Sequence, residues 1–153
     1  MSFPSKDIYL AQGSDYPNGG LHRCSAQERQ EMVRNSRALE ELIDHPDTAA
    51  GRALDSLFEL RPDLRLRYDE RSLRLAREDM AHHVRRLAQS ALSGEVDSLK
   101  DYLSWLKVLF RGLPLPDELI AESLRCAARG AAGSLKDPGA RGILELGELA
   151  AES

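Results

Sequence analysis

At 153 residues, with 42% hydrophobic and 30% charged side chains, the chain has the composition of an ordinary globular domain. It is long enough to bury a core without disulfide or metal staples. A net charge of −4 excludes a general electrostatic attraction to nucleic acid, because local pairs such as Arg85-Arg86 have carboxylates beside them. No run approaches the ~18 apolar residues of a membrane span, and Met1-Ser2-Phe3-Pro4 lacks the apolar stretch of a secretory signal. Cys24 and Cys126 lie far apart without a partner motif, so a cytoplasmic protein with free thiols is expected.

Residues 1–24 carry Pro4, Gly13, Pro17, Gly19 and Gly20 with little periodicity, which predicts an irregular, partly disordered N-terminal arm. Tyr9, Leu10 and Tyr16 are the residues that would pin it to a groove or a partner. The remainder, 25–153, is expected to form one helical domain. Ser25-Ala-Gln-Glu28 has the form of a capping box, opening a helix that runs to about Ile43. Asp47 is placed to cap a second helix through Leu54, Leu57 and Leu60, ended by Pro62. The charged stretch from Arg61 to Glu70 reads as a solvated face. Asp69 then opens the longest segment, which stops at Gly94 as a C′ glycine.

In that segment Leu73, Ala76, Met80, Val84, Leu87 and Ala91 recur at spacings of three or four and form one apolar stripe. Asp97 or Ser98 caps the next helix, closed by Gly112 and the Pro114-Leu-Pro116 turn. Leu99, Leu103, Leu106 and Phe110 form its stripe, but Tyr102, Trp105, Val108 and Leu109 widen the apolar surface around the circumference. Such a helix is central in the core or buried on two sides. Trp105 therefore reads either as core or, with Tyr102 and Val108, as an oligomer or partner contact. Asp117 begins a helix expected to fade at Gly130–Gly133, and Asp137-Pro138 places a cap and an N1 proline before a last helix through Leu149. Aromatics make up only 5% of the chain, so the core must rest on Leu, Ala, Val and Ile.

His82 and His83 are the most chemically suggestive residues. Glu78 lies four positions before His82 and Asp79 four before His83, so each pair can meet on a helical face. Asp79 and His82 also have the i, i+3 spacing of carboxylate-bridged metal sites, but those need a second such motif, and none follows. His22 and His45 sit in unrelated contexts. His83, beside Met80 and Leu87, falls on the buried side; next to Asp79 it would titrate near neutral pH. Cys126, with Leu124 and Ala127, reads as a small buried hydrophobe. No Gly-x-Ser-x-Gly elbow or phosphate-cradling loop is present, and Gly130-Ala-Ala-Gly133 lacks the Lys-Ser/Thr of a P-loop.

The stretch from Glu78 to Glu95, EDMAHHVRRLAQSALSGE, resembles the chromophore-helix region of phycobiliproteins. Asp79, Arg85, Gly94 and Glu95 fall on matching positions, and His82 and His83 stand where that family has two aromatics. The likeness continues through the next helix to Leu113-Pro-Leu-Pro and covers about 55 residues. A similar pattern occurs in stand-alone helical domains related to bacterial sensory and cobalamin-associated proteins. The resemblance implies an all-α, globin-like bundle of about six helices and symmetric pairing between subunits. It does not carry the chromophore chemistry across. Ala76 stands where the family has its attachment cysteine, and Glu78 stands where an arginine binds a propionate.

These features together predict a non-enzymatic regulatory or protein-interaction module, a homodimer or partner-binding protein with no nucleic-acid or membrane role. The rival expectation is a sensor holding a tetrapyrrole-type ligand (heme, bilin or cobalamin-related) non-covalently near Asp79, His82, His83 and Arg85. A metal-dependent enzyme using the same groups ranks last, because too few ligands can be named.

Overall fold

A computed structural model describes residues 25–116 and 118–153. The expected N-terminal arm, with Cys24 and His22, lies outside the described residues, as do Asp117 and the Glu28 side chain of the expected capping box. Seven helices, and no strand, occupy what is described: α1 (Ala26–Asp44), α2 (Asp47–Leu60), α3 (Pro62–Arg67), α4 (Glu70–Ser93), α5 (Asp97–Arg111), α6 (Leu119–Ala132) and α7 (Gly139–Ala151). No helix among them is long and apolar enough to cross a membrane.

The best-marked helix behaves as its ends dictate. The Asp69 carboxylate accepts a hydrogen bond from the Ser72 N–H at 2.8 Å, satisfying one of the orphan donors at the start of α4. Those bonds hold the Asp69 carboxyl below the usual carboxylate range. At the other end Gly94 takes φ 76°, the left-handed conformation that a side chain would strain, and its N–H donates to the Ser90 carbonyl. Between them Met80, Val84 and Leu87 are buried, while Leu73, Ala76 and Ala91 are half-buried. The buried face is wider than one stripe, because Ala81, His83, Ala88 and Ser90 join it.

Other termini depart from expectation. Asp47 and Asp97 are the first residues of their helices, where their charge favours the positive end of the helix dipole; Pro46 and Val96 occupy the cap positions. Pro138 is likewise the cap of α7, and Gly139 its first residue. The stretch after Arg61 is a seventh helix, where six were expected. Pro62 sits at N1, Asp63 in the first turn and Arg65 and Arg67 in the last, and Leu64 is buried. Arg61 itself leaves solvent to make a two-pronged contact with Glu122 on α6, at 2.7 and 2.6 Å.

The core is one cluster of Leu, Ala and a few other aliphatic residues drawn from all seven helices. At its centre α6 packs against α2, α4 and α7. Helix α6 ends at Ala132, inside the expected Gly130–Gly133 region, and Gly130 in its last turn is buried. A Cβ there would stand 2.4 Å from the Ala49 carbonyl oxygen, and one at Gly147 of α7 would stand 2.5 Å from Ala128 Cβ. The two glycines let α2 and α7 close onto the alanine-rich surface of α6. Arg52 of α2 secures the first contact, donating to the Gly130 carbonyl at 2.7 Å and to Ser134 Oγ at 2.6 Å.

This packing should override helix propensity. Gly130→Ala is expected to cost about 1–3 kcal/mol through overpacking, although alanine is the better helix former. Gly142→Ala on α7, where an added Cβ meets nothing within 4 Å, should instead gain about 0.5–1 kcal/mol. Urea unfolding followed by circular dichroism checks both; a stabilised Gly130→Ala protein would contradict the close approach.

Candidate functional site

Helix α4 presents two faces of different chemistry, and the step from His82 to His83 passes from one to the other. His83 is 3% exposed, as its place beside Met80 and Leu87 predicted. Its partner is not Asp79. The imidazole Nδ1 lies 2.7 Å from the Tyr102 hydroxyl on α5, and the two rings meet edge to face. A hydroxyl can serve either imidazole tautomer, so the buried pair is satisfied without a formal charge. Burial, aided by the positive charge of neighbouring His82, drives the His83 pKa down to about 4, which overturns the near-neutral titration expected beside a carboxylate. The Tyr102 phenol is pushed up by burial and by Asp79.

The cluster extends outward from this pair. Arg86 stands over the Tyr102 ring at 5.2 Å, and the Trp105 indole stacks with the same ring, centroids 6.0 Å apart. Trp105 is 57% exposed, Val108 64% and Leu109 49%, so the core reading of Trp105 is incorrect. Leu99, Leu103 and Leu106 alone anchor α5 to the core, with Tyr102 and Phe110 at the edges. A wide apolar circumference announces that a helix can be buried on two sides. Among the described residues only one side of α5 has a neighbour.

The second face of α4 carries Asp79, His82 and Arg85. Asp79 and His82 are exposed. Partial burial holds the Asp79 carboxyl above its ordinary value, against the opposing pull of His82. Arg85 reaches the α1–α2 corner, where its Nε donates to the Ile43 carbonyl at 2.9 Å and satisfies an orphan acceptor at the end of α1. The four expected ligand-binding residues are thus not one site: His83 faces α5, and His82 and Arg85 face a groove. That groove, an open one of about 320 Å³, is lined by Asp47, Arg74, Arg77, Glu78, Ala81, His82 and Arg85.

A second open groove of about 290 Å³ runs between Leu60, Arg61, Glu122, Arg125 and Arg129. Its arginines are largely committed: Arg61 to Glu122, and Arg125 to Glu148 at 3.1 Å. The Arg61 contact holds the Glu122 carboxyl below the usual range. Among the described residues no three of His, Cys, Asp and Glu are grouped as a metal site requires. Cys126 is fully buried, as expected of a small hydrophobe, and burial pushes its thiol up, away from the reactive thiolate.

The sequence pattern of α4 contains the signal for both faces. Positions 74, 77, 78, 81, 82 and 85 fall on one side of a 3.6-residue helix, flanking the Met80–Val84–Leu87 stripe. What it lacks is the identity of the elements that pack there, and so neither Tyr102 nor the α1–α2 corner could be named. No protein family's sequence profile matches the chain, and no curated protein matches it.

Burial of a neutral imidazole has a thermodynamic consequence. The folded-state pKa of His83 lies below its unfolded value of 6.5, so the unfolded chain binds the proton more readily. The stabilisation is present above pH 6.5 and is lost as pH falls toward 4. The loss should amount to about 3 kcal/mol by the usual conversion of pKa into free energy. In His83→Gln, whose amide can still meet the Tyr102 hydroxyl, the decline in unfolding free energy between neutral and acid pH should shrink by that amount. Identical pH slopes for the two proteins would refute a neutral, buried His83.

Proposed function

We propose that the protein is a non-enzymatic interaction module of the cytoplasm, on a globin-like helical frame of the phycobiliprotein kind, and that the outer face of α5 is its contact surface. The observation that carries this reading is the run of exposed Trp105, Val108 and Leu109 beside half-buried Tyr102. An apolar run of that size with a stacked aromatic at its centre is the composition of an interface core rather than of a solvated helix.

The charge pattern favours a second copy of this chain as the occupant. Asp101 lies one turn before Trp105 on the exposed face, and Arg111 flanks the same face after Val108. When two copies of α5 meet antiparallel, Trp105 of each reaches Val108 of the other, and each Asp101 comes beside the opposite Arg111. This is the self-complementary pairing that a two-fold interface requires. A single helix pair buries little area, so the dimer is a weak one. The rival reading, a tetrapyrrole-type ligand held near Asp79, His82 and His83, needs an imidazole that Tyr102 already engages. A Soret or long-wavelength band after reconstitution with heme or bilin would replace the interaction reading with that one.

Sedimentation equilibrium should show a reversible monomer–dimer equilibrium. Trp105→Ala should weaken it by about 30-fold or more, as loss of a central interface tryptophan does, with helical content unchanged because the side chain is exposed. Asp101→Arg or Arg111→Asp alone should also weaken association, and the two together in one chain should restore it. A monomer at all accessible concentrations overturns self-association. A dimer indifferent to Trp105→Ala overturns the α5 contact.

A further inference from the structure

The groove on the second face of α4 is separate from the α5 surface, and its side chains are disposed for a different kind of partner. Arg74, Arg77 and Arg85 line it with His82, and the only acidic groups on its walls are Asp47 and Glu78. Three guanidiniums against two carboxylates leave one positive charge in excess before the imidazole is counted. Which donors are already used matters more than this balance. Arg85 is tethered by its Nε to the Ile43 carbonyl, and the outer edge of a guanidinium bonded in that way points away from its tether.

Arg77 crosses from α4 to α2, where its Nη2 stands 2.8 Å from the position a Gly51 Cβ would occupy. Glycine at 51 is what lets the guanidinium lie against the α2 backbone. Yet neither Arg77 nor Arg74 makes a hydrogen bond or an ion pair among the described residues, although both carboxylates line the same groove. The groove between Leu60 and Arg129 is the internal comparison. It has similar volume and also three arginines, but there Arg61 and Arg125 are neutralised by Glu122 and Glu148. The start of α2 contributes too: its cap is Pro46, which has no side-chain acceptor to offer, and Asp47 of its first turn borders the groove.

From the uncommitted guanidiniums of Arg74 and Arg77 beside the tethered Arg85, we propose that this groove binds a small multivalent oxyanion, a phosphate ester or a polycarboxylate. Planar forks match the oxygen pairs of such groups and bind them through charge-assisted hydrogen bonds. The groove volume of about 320 Å³ is of the size that takes a metabolite-sized ligand. His82 on the rim adds a ring N–H donor to the arginine set.

Calorimetric titration with pyrophosphate and, separately, with citrate tests this on the full chain. Saturable one-to-one binding of either probe is the expected result. Pyrophosphate alone identifies the phosphate class, citrate alone the polycarboxylate class, and both a general oxyanion site. The double variant Arg74→Ala/Arg77→Ala should weaken binding by about tenfold or more, as removal of charge-assisted bonds does. Arg125→Ala/Arg129→Ala in the other groove should leave it within about twofold, as distant independent sites do. Amide chemical-shift changes confined to α4 and the start of α2 would place the probe. Absence of binding by both probes, or equal losses in the two double variants, overturns the proposal; thermal unfolding of each variant shows that the fold is retained.

Discussion

The structure depends on how closely α2 and α7 approach α6. At Gly130 there is no room for a Cβ against the Ala49 carbonyl, and at Gly147 there is none against Ala128. A chain with few aromatics has to build its core from many short contacts rather than a few large ones. Dispersion then rewards close helix axes, because each atom pair contributes little and falls off steeply with separation. Ala49, Ala50 and Ala53 on α2, Ala127, Ala128 and Ala131 on α6 and Ala150 on α7 supply the flat surfaces that make this distance attainable. The glycines cost helix propensity locally and are retained because the neighbouring backbone occupies their side-chain space.

Close packing creates a second demand, which the arginines meet. Helix ends brought into the interior carry carbonyls without intrahelical donors. Arg52 covers that of Gly130 and Arg85 that of Ile43, each from a neighbouring helix, so one side chain both satisfies an acceptor and ties two elements together. Arg61 does comparable work at the α2–α3 junction by binding Glu122. Seen in this way the arginines divide by what they touch: some close the fold, and Arg74 and Arg77 do not. Ser90 Oγ is the converse case, a buried hydroxyl without a hydrogen-bond partner among the described residues.

Local rules read well where local chemistry decides the outcome. Asp69 and Gly94 bound α4 because a carboxylate acceptor and a left-handed glycine act within one turn of themselves. The same rules place the end of α6 within Gly130–Gly133 but are silent on the packing role of Gly130, since a glycine in sequence looks identical whether it ends a helix or admits a neighbour. They also pass over α3, whose six residues offer too little periodicity to register against their charge. Burial of His83 was legible from its register with Met80 and Leu87. Its partner was not, because Tyr102 lies on the next helix and a carboxylate was available at the helical spacing. Trp105 was misplaced for a related reason: periodicity reports how much of a helix is apolar, and only the arrangement of other helices reports how much of it is covered.

The two surfaces of functional interest sit on adjacent positions of one rigid element. His82 faces the arginine groove, and His83, one residue on, holds Tyr102, which in turn stacks on Trp105. Proximity of this kind does not by itself couple the surfaces. A ligand in the groove shifts the α5 contact only if it interacts unequally with two arrangements of the intervening groups. The element between them is a continuous helix with a satisfied, uncharged histidine–tyrosine pair, which offers a single arrangement at neutral pH. Protonation of His83 would supply the second, since an imidazolium can no longer accept the tyrosine proton and its charge must leave the core. With the His83 pKa lowered to about 4 that state is expensive under neutral conditions, so the proposed groove binding and α5 association would behave as independent equilibria there.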